Sequence, residues 1–255
     1  MWLLLPRCRD AMARKQTLSD NAKAVLAEIT KGTLAAFDNA ERLYFEATVL
    51  AAAKAYSRAL FLHQISMEEL AKVEALGALA SGLLMGTKVD LAVSTKQFTH
   101  HKAKNYINAY MLPHSEIEKA AIKAGDVDAS IKAFKATQAA FHKESNDAKN
   151  AALYVDLVDG AFVAPAERVT KSMVTRMAKQ NEEFLGLMAP KRDMMVKWNK
   201  DPDAVIPLMD ALKESMIRLK KDPDIKPPQF PDLIMDALMQ TIPEDKRPPK
   251  WRKTK

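Results

Sequence analysis

The sequence predicts an all-α protein: an antiparallel helical bundle with a long ordered loop or small hairpin and a Pro-rich C-terminal extension. Three observations point there. Ala, Leu, Lys, Glu and Met dominate the 255 residues while aromatic residues make up only 7%, a balance that favours helix over sheet. All 7 glycines precede Leu187, and 48% apolar side chains can fill a sizeable core. Long stretches also repeat their apolar residues at helical spacing.

The elements follow in order. Met1–Leu5, MWLLL, is shorter than the apolar region of a signal peptide. The peptide MARKQTLSD from Met12 has the form of a natural start, so residues 1–11 are expected to be an extension. Ser19 and Asp20 are good N-cap types for a first helix to about Lys31, where Gly32 is expected to interrupt it. A second helix, about Thr33 to Ala51, places Leu34, Phe37, Glu41, Tyr44 and Thr48 near one face. A short connection near Lys54–Ser57 is expected to fold a third helix back against it, the usual result of a short loop between helices; a continuous helix is the alternative, since nothing here breaks a helix strongly.

That third helix, Arg58 to Gly86, is the one around which the rest is arranged. At about 100° per residue, Arg58, Leu62, Ile65, Glu69, Val73 and Leu76 share a stripe, with Phe61, Glu68, Lys72 and Leu79 beside it. Glu69 then falls on an apolar face with Lys72 as its partner at helical spacing; the alternative is an exposed Glu68-Glu69-Lys72 patch on a helix that rolls slightly. A fourth helix is expected from Val89 to the stop at Pro113, carrying His100 and His101 on different sides. A loop runs to Gly125, followed by a fifth helix over Val127–Ala152 with Ile131, Phe134, Gln138, Phe141 and Ser145 at helical spacing. Leu153–Pro165 alternates apolar and polar residues around Asp159-Gly160, the turn of a small hairpin. A sixth helix is expected from Ala166 to Leu187, ending at Gly186 and Pro190, and a last one over Asp203–Lys220. Ten of the 13 prolines lie between Pro190 and Pro249. The expected organisation is an N-terminal extension (1–18), a helical domain (19–188), a Pro-rich helical extension (189–243) and a basic disordered tail (244–255).

Charge and motifs bound the function. Of the net +7, residues 1–15 carry +3 and residues 244–255 carry +4, which leaves residues 16–243 neutral. Basic ends on a neutral body are a weaker nucleic-acid signal than one basic surface. No stretch approaches the apolar length that spans a bilayer, and the single Cys8 excludes an internal disulfide framework, so a cytoplasmic protein with no membrane contact is expected. There is no Gly-rich phosphate loop, no metal-binding Cys or His spacing and no Glu-x-x-His pair, so neither metal nor cofactor is expected.

Four stretches together resemble a known family. Ser66–Lys72, SMEELAK, resembles the EELGK element of AbiV-type abortive-infection proteins, with Ala71 in place of the usual glycine. His101-Lys102-Ala103-Lys104 is similar to the family's HKxK element, Ala152–Pro165 to its ALYVD...DG...P block, and Leu43–Leu50 to the helix preceding them. The resemblance covers roughly residues 33–187 and marks Glu68, Glu69, Lys72, His101, Lys104, Tyr154 and Asp156. It implies a HEPN-type helical domain, a homodimer, and a prokaryotic phage-defence role directed at RNA or at a phage or host protein. Many HEPN proteins are metal-independent ribonucleases with an Arg-x(4–6)-His motif, whose spacing Arg58 and His63 match; Ala59 stands where active members carry a polar residue. Five residues on one helix separate those side chains by about 140°, so convergence requires a group from another helix or protomer.

Two readings of these residues stand side by side. In one, His63 or His101 activates a ribose 2′-hydroxyl, Arg58, Lys72 or Lys104 stabilises charge on the phosphorane, and Glu68 or Glu69 orients them. In the other, Glu69, Lys72, His101 and Lys104 form a buried polar network that fixes helix pairing, and the protein acts by binding a partner.

Overall fold

A computed structural model describes residues 17–221. Nine α-helices, two 3₁₀ turns and one hairpin make up the described residues. Helix α1 (Asp20–Ala52) opens under Ser19, whose hydroxyl accepts from the Ala22 amide. It runs 33 residues without a break, contrary to the expected stop at Gly32. A single glycine costs about 1 kcal/mol in a helix interior, which a long helix buried along one side absorbs. Gly32 also faces α2 closely, since a Cβ there would sit 3.4 Å from Leu76 Cδ1.

Ala53–Ala55 make the turn, with Lys54 in the left-handed region at φ 62°. Helix α2 (Tyr56–Leu84) then returns antiparallel to α1, as the nested pairs Tyr44–His63, Ala40–Ser66 and Gly32–Leu76 require. Sixteen of its 29 residues are buried, distributed all round, which makes it the central helix of the bundle.

Beyond Gly86 the expected fourth helix is instead four short pieces: α3 (Leu91–Ser94), a 3₁₀ turn, α4 (His101–Asn108) and a second 3₁₀ turn ending at Met111. Asp90 caps α3, and His100 holds the extended conformation that starts α4. The stretch expected as a loop before Gly125 contains α5 (Glu116–Ala124), capped by Ser115 and closed by Gly125 at φ 71°. Helix α6 (Val127–Leu153) follows. Strands β1 (Asp156–Val158) and β2 (Ala161–Val163) form the expected antiparallel hairpin, with Leu157 opposite Phe162. Asp159 and Gly160 both have positive φ, as a type I′ turn requires.

The expected sixth helix is two. After the four-residue α7 (Pro165–Arg168), helix α8 (Lys171–Lys200) runs through both Gly186 and Pro190. Buried Phe184 and Met188 before the proline, and Met195 and Trp198 after it, hold both halves against the same neighbours, which overrides the lost backbone hydrogen bond. Helix α9 (Pro202–Lys221) closes the described chain. The expected extension over 1–11, the Pro-rich stretch after Lys221 and the basic tail lie outside the described residues.

Helices α1, α2 and α8 form the central layer, with α8 parallel to α2, since Asn181 meets His63 and Lys191 meets Glu74. One apolar cluster gathers Phe37, Leu60, Met67, Leu70, Phe141, Val174 and Phe184. A second, towards the other end, gathers Leu26, Ile29, Leu76, Leu83, Met195, Trp198 and Met209. Helices α4 and α6 cover the first cluster on the side of α2 opposite Asn181, and the candidate site lies in that seam.

Candidate functional site

Glu68 sits two residues before the middle of α2 and is 2% exposed. An isolated carboxylate there is too costly to remain ionised. Two lysines and a histidine from two covering helices meet it. His101 Nδ1 and Lys104 Nζ, both from α4, each lie 2.6 Å from Oε2, and Lys149 Nζ from α6 lies 3.2 Å from Oε1. Burial by itself would push the Glu68 carboxyl up. The hydrogen bonds from Lys104 and His101, with the charges of Lys104 and Lys149, outweigh it and hold the group below the ordinary carboxylate value.

The three donors differ in access. Lys104 and Lys149 are 7% and 8% exposed, whereas half of the His101 side chain faces solvent. A carboxylate only accepts, so His101 donates through Nδ1–H, and in the neutral ring its Nε2 is the basic nitrogen. Glu68 thus fixes the tautomer and orientation of a half-exposed imidazole. One carboxylate also balances only one of the two buried lysines, so the cluster carries surplus positive charge. Nearby, Asn108 Nδ2 donates to the Met67 carbonyl and pins α4 to α2.

The remaining sequence candidates are placed elsewhere. Glu69 and Lys72, expected in one network with His101 and Lys104, pair instead with each other at 2.5 Å, apart from the Glu68 cluster and beside Leu91 and Phe98. One position along the helix turns the side chain by about 100°, and α2 presents Glu68 rather than Glu69 to α4 and α6. Arg58 is exposed in the first turn of α2, while His63 is 0% exposed. The two therefore do not assemble on this chain. Asn181 Nδ2 donates to His63 Nδ1 at 3.2 Å, Tyr44 packs edge-on against the ring, and burial pushes its pKa down to about 4. It is a neutral core imidazole. Tyr154 is exposed at the end of α6, and Asp156 pairs with Arg168 across the hairpin base at 3.2 Å.

Two residues escaped the sequence reading. Lys149 extends the α6 stripe Phe141, Ser145 by four residues, so continuing that stripe would have found it. Asn181 lies on the buried face of α8 and joins His63 to Ser66, whose hydroxyl lies 3.1 Å from Asn181 Oδ1 and also donates to the Ala40 carbonyl. No local pattern marks it. Among the described residues no group of three or more His, Cys, Asp or Glu is placed to hold a metal ion, and no helix is long and apolar enough to cross a membrane.

An all-α bundle whose SMEELAK and HKAK segments meet through Glu68, His101 and Lys104 is of the HEPN class. The family model for AbiV, a HEPN family, matches residues 28–186, and the chain belongs to that family. Membership suggests a role in abortive infection and phage defence. The chain is also similar to uncharacterized protein y4gJ of Sinorhizobium fredii, with 42% identity over 103 residues, 40% of this chain and 54% of that protein. It thus spans about half the length of that relative. No solved structure matches it.

Proposed function

We propose that this protein acts in abortive infection as a metal-independent ribonuclease in which His101 is the proton acceptor and Glu68 its positioning residue. The observation that carries the reading is the half-exposed imidazole held through Nδ1 by a buried carboxylate, beside two lysines of which only one is balanced. His101 Nε2 takes the proton of a ribose 2′-hydroxyl. The 2′-oxygen bonds to the adjacent phosphorus, the P–O5′ bond breaks, and the departing 5′-oxygen takes a proton from water. The surplus charge of Lys104 and Lys149 favours the extra negative charge of the phosphorane. Arg58 and His63 take no part, because the first lies about 15 Å along α2 from Glu68 at 1.5 Å per residue and the second is sealed in the core.

A second reading has a specific observation in its favour. Tyr154, Val155, Leu157 and Phe162, around the hairpin, are each more than half exposed, and such apolar strips suit a protein partner. In it the protein, alone or as a homodimer, acts by binding a phage or host protein, and the Glu68 cluster only fixes helix pairing. Phage plating on cells expressing each variant separates the two. His101→Ala and Glu68→Gln are expected to abolish protection at unchanged protein level while Phe162→Ser retains it. Protection kept by His101→Ala and lost by Phe162→Ser contradicts the ribonuclease and supports the binder.

A further inference from the structure

The seam between α4 and α6 continues past the Glu68 cluster as a series of paired side chains. Asn105 Nδ2 donates to His142 Nδ1 at 3.3 Å, the Tyr106 ring meets the His142 ring at 5.8 Å, and Gln138 Nε2 donates to the Tyr106 carbonyl at 3.1 Å. The last pair is Tyr110 against Phe134, with ring centroids 4.6 Å apart. On the α4 side, Lys102, Tyr106 and Tyr110 succeed one another at helical spacing, with the Lys102 ammonium 5.5 Å from the Tyr106 ring centroid. One cation, Lys102, and two aromatic rings, the half-buried Tyr106 and the exposed Tyr110, therefore follow one another along a strip beside His101, which lies about 100° round α4 from Lys102. From His101 to Tyr110 the strip runs about 13 Å at 1.5 Å per residue, room for roughly four stacked nucleotides at about 3.4 Å each.

The strip ends in a cavity of about 440 Å³ walled by Tyr110, Leu112, Ile131 and Phe134, within the size range of small-ligand sites. Of the polar groups in its lining, Glu118, His114 and Lys135 bear charge or can take it up. Glu118, 4% exposed, accepts from His114 Nδ1 through Oε1 at 2.6 Å, and Lys135 is exposed at the edge. A carboxylate has two acceptor oxygens, so Glu118 offers a buried acceptor to a planar group bearing N–H donors. Tyr110 is 68% exposed and offers a ring face on which such a group stacks. Lys135 and His114 suit an attached phosphate.

We propose that this cavity is a pocket for one unpaired nucleobase bearing an exocyclic amino group, reached by a single strand of RNA laid along the α4–α6 strip from His101. The proposal rests on the reading of the Glu68 cluster as an RNA site. Stacking on Tyr110 supplies affinity and favours the larger adenine ring over uracil, Glu118 accepts from the exocyclic amino group, and Lys102 and Lys135 lie along the path of the backbone. A free nucleotide presents the same base and phosphate, so the test separates the two sources.

The test is binding of the full chain to short fluorescein-labelled 2′-O-methyl RNA, oligo(A) against oligo(U), and to free AMP, for wild type, Tyr110→Ala and Tyr110→Phe. The 2′-O-methyl strand has no nucleophile, so binding is read without cleavage. Oligo(A) is expected to bind more tightly than oligo(U). Tyr110→Ala should weaken oligo(A) at least five-fold, as the loss of about 1–3 kcal/mol of stacking implies, with the thermal midpoint unchanged and Tyr110→Phe near wild type. Equal binding of oligo(A) by wild type and Tyr110→Ala, with no AMP binding, overturns the pocket, as does a wild type that binds neither probe. Loss confined to AMP keeps the base pocket and assigns it to a free nucleotide, which overturns the strand. Cleavage of unmodified RNA by wild type and His101→Ala is scored separately, so the pocket can fail while the ribonuclease stands.

Discussion

Glu68 is held by charge rather than by packing, and this makes it the most sensitive residue of the site. Glu68→Ala leaves Lys104 and Lys149 buried without their carboxylate. A loss of about 3–5 kcal/mol is expected in urea unfolding, the usual cost of removing one partner of a buried pair, with Glu68→Gln costing less because it still accepts a hydrogen bond. Because the folded carboxyl titrates below its ordinary 4.5, the stability it contributes is complete above that value and is lost as pH falls through the folded pKa. His63 acts higher on the pH scale. Its pKa drops from 6.5 to about 4 on folding, so the unfolded chain binds the extra proton between those values and stability falls as pH is lowered from 6.5 to 4. At about 1.4 kcal/mol per unit the loss approaches 3 kcal/mol. His63→Gln is expected to flatten that part of the stability–pH curve, and an unchanged slope contradicts the buried neutral imidazole. A charge cluster on the central helix was legible in the sequence, since Glu69 falls on a stripe shared with Leu62, Ile65, Val73 and Leu76, although an exposed Glu-Glu-Lys patch fitted the same pattern. Which glutamate faces inward was not. A stripe drawn at 100° per residue separates Glu68 from Glu69 only when the directions of the covering helices are known, and α4 and α6 approach from the side of Glu68.

Helices reveal a similar division between what local pattern carries and what neighbours decide. The Asp159-Gly160 turn follows from a local signal, whereas the α1–α2 turn was expected without a strong helix breaker, and both are present. The expected breaks at Gly32 and at Gly186–Pro190 are absent, because propensity at one position is outweighed by burial on both sides of it. The break-up of residues 91–111 into short pieces had no local signal strong enough to place it. Two glycines test how closely these helices pack. A Cβ at Gly32 meets Leu76 Cδ1 at 3.4 Å, ordinary contact, whereas one at Gly77 meets Lys191 Cδ at 2.9 Å, a contact that displaces the partner of Glu74. Gly32→Ala is therefore expected to raise the thermal midpoint, by up to about 1 kcal/mol of helix propensity, and Gly77→Ala to give less than that or lower it. Equal gains at both positions contradict the close approach of α8 to α2.

At the scale of the molecule, the two apolar clusters lie end to end along α1 and α2, and α8 crosses both. The site sits over the first cluster, where two short-range motifs far apart in sequence, SMEELAK and HKAK, are brought together and joined by Lys149 from a third helix. The family resemblance identified the two motifs; only the packing shows that they share one carboxylate and that the Arg58–His63 pair is divided between surface and core. The central claim is that His101, and not His63, is the working histidine. It is tested most directly by incubating RNA in EDTA with wild type, His101→Ala and His63→Gln, each shown folded by circular dichroism. The account predicts cleavage by wild type leaving 2′,3′-cyclic phosphate ends, a loss of about 100-fold or more in His101→Ala, as removal of a general base implies, and cleavage retained in His63→Gln. Cleavage that survives in His101→Ala and disappears in His63→Gln would contradict it.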